Sequence, residues 1–190
     1  MPAPRRSSQR EASSSASTTA QDAVSKQKKA SPKSTPPPKQ GPASVAIDLG
    51  SYSIRICIAK PNEGSPIVTS CPNALVRSSQ KRHSGASNGP FAGPQILQKC
   101  TNFGSLSVRQ PMDRGMIVDW PTQKMILDIA LIDALSKERG ATIKGEGRML
   151  EGRDVVITEA YFNLPDLQAA LDLLFMEEYG AAKIWRCSRK

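Results

Sequence analysis

Asp48, Gly50 and their neighbours are where this chain could do chemistry. They lie in Val45-Ala46-Ile47-Asp48-Leu49-Gly50-Ser51-Tyr52-Ser53-Ile54-Arg55-Ile56-Cys57-Ile58-Ala59. A short apolar run leads to the Asp, a Gly follows two positions on, and then polar and apolar residues alternate. Ile54, Ile56 and Ile58 share one side of an extended chain, and Ser53, Arg55 and Cys57 share the other, as a period of two requires. The pattern predicts strand, tight turn and antiparallel strand, with Gly50 placed at the turn for its tolerance of positive φ. Successive backbone N–H groups in such a turn can hold a phosphate. Asp48 would then face the accompanying magnesium through water, because that ion keeps much of its hydration. The same residues also make an ordinary hairpin with an Asp-x-Gly turn, and spacing alone does not separate the two.

The rest of the chain must position that turn. Of 190 residues, 1–43 carry eight Lys/Arg against two acids, net +6, leaving eighteen against fifteen, net +3, in 44–190. The basic character therefore belongs to the first 43 residues. They lack aromatics and are rich in Ser, Ala, Pro, Lys and Arg, so burial cannot offset the entropy of ordering and a disordered basic tail is expected. Its lysines suit loose attraction to nucleic acid, a nuclear import signal, or simple solubility. Four scattered cysteines without a C-x-x-C pair, and one histidine, His83, make no zinc set and read as reduced thiols of an intracellular protein. No apolar run approaches the ~20 residues of a membrane span.

Along 44–190 the reading is a hairpin, a short strand at 66–70, an exposed Ser/Gly/Asn/Pro loop over 78–94 holding His83, and a short helix near Gln95–Cys100. A long helix follows Asp119, which is placed to cap it ahead of Pro121. Its apolar arc is wide enough to predict burial on most sides. The polar loop 141–153 leads to the strand Asp154–Thr158, whose continuous apolar centre suggests burial on both faces. An amphipathic helix from Pro165, with Leu167, Ala170, Leu171, Leu174 and Phe175 on one stripe, runs to Gly180. A last strand covers Ala182–Cys187. The alternation is α/β around one sheet.

Three segments carry a resemblance. Asp48-Leu49-Gly50-Ser51-Tyr52-Ser53-Ile54-Arg55 resembles the first phosphate loop of the actin superfamily. Pro111-Met112-Asp113-Arg114-Gly115-Met116-Ile117-Val118-Asp119-Trp120 is similar to a later stretch of actin's first subdomain. Ile157-Thr158-Glu159-Ala160-Tyr161-Phe162-Asn163, with Phe175-Met176-Glu177-Glu178-Tyr179 after it, resembles the sixth class of actin-related proteins.

The resemblance implies an actin-like (ribonuclease H-like) fold over 44–190: an incomplete domain with a mixed sheet flanked by helices. It implies a cleft for ATP with magnesium, of which Asp48, Gly50, Ser51 and Arg55 form one wall. Arg55 stands where actin has a phosphate-contacting lysine, and Tyr52 replaces the second glycine. Tight ATP binding by this chain alone is not expected, because the second phosphate loop and adenosine pocket belong to a further part of the family's chain. No catalytic residue and no ATP hydrolysis are expected, since Ser188 and Arg189 fall where actin places its catalytic glutamine. The class implies a nuclear scaffold subunit of an SWR-type remodeller that exchanges a core histone for its variant. Its expected partners are other remodeller subunits, nucleosomes or histones, with weak DNA contact by the tail and no membrane. The alternatives are a cytoskeletal actin-like protein that hydrolyses ATP, and an ATPase of the sugar-kinase and heat-shock chaperone class.

Overall fold

The computed structural model describes residues 43–61, 64–78, 90–100, 103–104, 106–138 and 148–188. These all belong to one compact unit, Lys39–Lys190. Of the expected tail over 1–43, residues 1–42 lie outside the described residues, as do His83 and Arg189, and the described fold begins one residue earlier than expected. Ala43 is buried in the core.

Strand β1 (Ser44–Leu49) turns into antiparallel β2 (Ser53–Ala59), and β2 pairs in turn with β3 (Ile67–Pro72). Strand β4 (Leu75–Ser78) begins a second, three-stranded sheet, between β5 (Pro90–Ala92) and β6 (Leu106–Arg109), with helix α1 (Pro94–Lys99) in the connection. Ala74, Val76, Phe91, Ile96 and Cys100 form its small core. The expected loop over 78–94 thus ends earlier: Phe91 and Ala92 are buried against β4, where tertiary pairing outweighs a Gly/Pro-rich composition.

A two-residue hairpin joins β7 (Met112–Asp113) to β8 (Met116–Ile117), with both Arg114 (φ 49°) and Gly115 (φ 84°) left-handed, as a type I′ turn demands. Helix α2 (Trp120–Ser136) follows, capped by Asp119, whose carboxylate accepts the Thr122 N–H at 3.3 Å. Strand β9 (Asp154–Glu159) pairs parallel to both β1 and the last strand, and helix α3 (Pro165–Asp172) runs on into a π-helical segment, Leu173–Glu178. The wider turn brings Leu174, Phe175 and Tyr179 to the core together. Gly180 (φ 76°) then releases the chain into β10 (Lys183–Ser188).

The main sheet therefore runs β10-β9-β1-β2-β3, a mixed α/β sheet as expected. Val45, Ile47, Leu49, Ile54, Ile56, Ile58, Val155 and Ile157 are almost wholly buried on one face. The buried apolar residues of α2, with Leu171, Leu174 and Phe175, join them in one cluster. Tyr179 ties two elements of that layer: its hydroxyl donates to Asp128 at 2.6 Å, and its ring meets Phe175 edge-on at 5.3 Å. Burial, with the Asp128 carboxylate beside it, pushes that hydroxyl's pKa upward, so it stays protonated.

Two expectations change here. The helical layer covers one face of the sheet, and β9 is buried on that face only, with Val156 half-exposed on the other. Across that other face, register aligns Val68, Cys57, Ala46, Val156 and Trp185 in one row, and Val68 and Trp185 are largely exposed. Helix α2 likewise buries one side and leaves Met125 and Ile132 at the surface, 44% and 40% exposed. An apolar sequence sets which surfaces favour burial, but a packed neighbour must exist to cover them.

The N-cap gives a pH prediction. Hydrogen bonds from the Thr122 hydroxyl, then its N–H and the Arg109 guanidinium, hold the Asp119 carboxyl below its usual range against an opposing desolvation. A depressed folded value means that the stabilisation is complete above the unfolded value near ~3.9 and is lost as pH falls through the folded one. Asp119→Asn keeps a capping oxygen without the charge. Wild type should melt above this variant near neutral pH and converge with it in acid, whereas Asp119→Ala should cost about 1 kcal/mol near neutral pH, a cost that shrinks but does not vanish in acid. Parallel melting curves at all pH values would contradict the assignment.

Candidate functional site

The site is the end of the β1–β2 hairpin and the strand beside it. Asp48 and Arg55 are direct cross-strand partners. Arg55 Nη1 lies 3.4 Å from Asp48 Oδ2, with side chains 64% and 37% exposed. So exposed a pair contributes little, about 0–1 kcal/mol, and opens easily. The other carboxylate oxygen is held more firmly: the Thr158 hydroxyl donates to Asp48 Oδ1 at 2.8 Å. The same hydroxyl oxygen accepts the Leu49 N–H at 3.0 Å. Thr158 comes from β9, 110 residues along the chain from Asp48. It works as both donor and acceptor, as a hydroxyl can.

Gly50 and Ser51 lie in the bend itself. The expectation for Gly50 needs correction. Its φ is not left-handed. Its N–H closes the turn on the Ser53 carbonyl at 3.0 Å, and a Cβ there would stand 2.5 Å from that oxygen. Close backbone approach, rather than handedness, requires the glycine. Its N–H is consequently committed inside the turn. The Ser51 N–H meets no hydrogen-bond partner among the described residues. Tyr52 projects from the tip, 80% exposed.

The bend rests on two buried amides. Asn73 and Gln123 are both 0% exposed. Asn73 Nδ2 donates to Gly50 O at 2.8 Å and to Gln123 Oε1 at 3.1 Å, and Gln123 Nε2 returns a bond to Asn73 Oδ1 at 3.2 Å. The Asn73 backbone N–H donates to Tyr52 O at 2.9 Å.

The four sequence-derived residues are therefore together at one hairpin end, while Thr158, Asn73 and Gln123 come from elsewhere. Two of these carry a sequence signal, a polar residue at an otherwise apolar position of the pattern. Asn73 interrupts Cys71–Val76, and Gln123 sits one helical turn before Ile126 and Leu127 on the buried side of α2.

Gly50→Ala should force the turn open and destabilise the fold by about 1–3 kcal/mol, read as a lowered urea midpoint. An unchanged midpoint would remove the close-approach explanation.

The model of the actin family matches residues 40–190. Actin-like protein arp6 of Aspergillus fumigatus is 28% identical over 144 residues, covering 70% of this chain and 28% of its own length. Actin-related protein 6 of Neurospora crassa is 27% identical over 150 residues, 77% of this chain and 30% of its own. Actin-related protein 6 of Drosophila melanogaster is 30% identical over 145 residues, 76% of this chain and 31% of its own. The chain thus spans less than a third of the length of these relatives. The hairpin, the mixed sheet and the matched span agree: the chain belongs to the actin family and, within it, is similar to actin-related protein 6.

Proposed function

We propose that this chain is part of a nuclear actin-related scaffold subunit, working in an SWR-type remodelling complex that exchanges a core histone for its variant. On this reading it assembles with other remodeller subunits and does not hydrolyse ATP. Support comes from the relatives' class and, above all, from how Asp48 is engaged. One of its oxygens is bonded to Thr158 across the sheet and the other faces Arg55. The Thr158 bond makes Asp48 a link between β1 and β9 even when the exposed Arg55 contact opens.

The residues fit one side of an ATP phosphate group with its magnesium. The Ser51 N–H and hydroxyl and the Arg55 guanidinium would meet phosphate oxygens, and Asp48 would face the metal through water. Magnesium, when bound, would screen the phosphate charge. The Arg55–Asp48 contact has to open first, which its exposure makes inexpensive. The bound nucleotide would then tie two lobes together. The basic residues of 1–43 would add a weak, salt-sensitive attraction to DNA.

The test is recovery of partners. A tagged chain incubated in nuclear extract should retain remodelling subunits, stay out of the pellet when filaments are sedimented, and release no phosphate from ATP. Pelleting with filaments together with steady phosphate release would replace this proposal by the cytoskeletal alternative.

A further inference from the structure

We propose that Asn73 and Gln123 form a positioning pair that aims the Ser51 N–H outward from the bend at 50–53. The first half of the inference is geometric. Asn73 grips the carbonyls on both sides of Ser51: its side chain holds Gly50 O at 2.8 Å, and its backbone N–H holds Tyr52 O at 2.9 Å. A trans peptide is planar, so the N–H of each unit points opposite to its C=O. The Gly50 carbonyl and the Ser51 N–H share one such unit. Turning that carbonyl inward, onto a residue that is 0% exposed, therefore turns the Ser51 N–H away from the core. That N–H meets no hydrogen-bond partner among the described residues.

Asn73 can do this only if its own rotation is fixed. An amide side chain that flips by half a turn exchanges its donor for its acceptor. Gln123 opposes a flip of Asn73 alone, and were both amides to turn together the Gly50 carbonyl would lose its donor. Gln123 Oε1 accepts from Asn73 Nδ2 and its Nε2 donates to Asn73 Oδ1, at 3.1 Å and 3.2 Å. Met112 Sδ lies 3.3 Å from the same Nδ2. A flipped Asn73 would set its oxygen against both Gly50 O and Gln123 Oε1. Gln123 in turn is anchored in the first turn of α2, where its N–H donates to Asp119 O at 3.0 Å. The direction of one N–H at the hairpin tip is thus set by Asn73 together with a helix residue fifty positions beyond it.

The second half rests on the functional reading above: the ligand of that N–H would be an anionic phosphate oxygen. The two halves are tested separately on the same protein. Site-resolved amide exchange is measured for wild type, Gln123→Met and Asn73→Asp. Gln123→Met keeps side-chain length and apolar packing but releases the flip. The Gly50 amide, bonded to Ser53 O, should exchange about tenfold faster, while the Ile126, Leu127 and Leu131 amides keep their protection. Asn73→Asp removes the donor to Gly50 O and should do the same or more. Unchanged exchange at Gly50 in Gln123→Met, or equal acceleration at Gly50 and along α2, would overturn the positioning role. Titration to millimolar magnesium and ATP, read as a shift of the Ser51 amide resonance so that weak binding by one wall of a cleft is detected, forms the other arm. Weaker binding by Gln123→Met than by wild type supports the phosphate assignment. Failure of wild type to bind removes that assignment, and the exchange result still decides the pair.

Discussion

Two amide side chains sealed from water, Asn73 and Gln123, set the geometry of everything exposed at the hairpin end. Buried amides are costly when half-satisfied and stabilising when their partners face them correctly. Here the partners are one another and the carbonyl of Gly50. The arrangement joins three regions remote in sequence: the β1–β2 bend, the residue after β3, and the first turn of α2. Neither side chain could be exchanged for an apolar one of equal size without leaving the other unpaired. Polar precision in an otherwise aliphatic core thus confers a defined conformation on a short surface bend.

Thr158 performs a related task at the other flank. By accepting from Leu49 and donating to Asp48, it fastens β9 to the end of β1 just where the strand leaves the sheet. Asp48 consequently faces Arg55 and Thr158 at once, in a row of polar side chains beside the apolar row of the open face. The hairpin end is rigid in its backbone and adaptable at its exposed tips, Arg55 and Tyr52. Binding surfaces are commonly built in that way, from mobile side chains on a fixed frame.

Much of this frame was legible in the residues. Alternation at Ile54, Ile56 and Ile58 fixed the inward face of β2, and Asp119 with Pro121 marked the start of α2. Asp48, Gly50, Ser51 and Arg55 lie at one hairpin end. Three features escaped for physical reasons. The hairpin at Asp113–Met116 puts an arginine at positive φ, against its local preference. The bilateral burial anticipated for β9 depends on a second layer, which no strand pattern encodes. The role of Gly50 depends on a carbonyl three residues ahead, a distance that composition does not reveal. Asn73 and Gln123 were visible only as polar interruptions, because a mutual bond across fifty residues leaves no periodic trace.

The order of strands has a consequence for how the chain acquires its shape. Strands β1, β2 and β3 are sequential neighbours and close through short turns, so their meander is available early. The other edge of β1 waits for β9, more than a hundred residues later, and β9 waits for β10. Loop-closure entropy rises slowly with length, but formation of such remote pairings is slow. During synthesis the Val45–Ile47 edge would remain an open template until residues 154–159 emerge from the ribosome. This interval, rather than the finished fold, is when the chain is most exposed to mispairing and most dependent on chaperones.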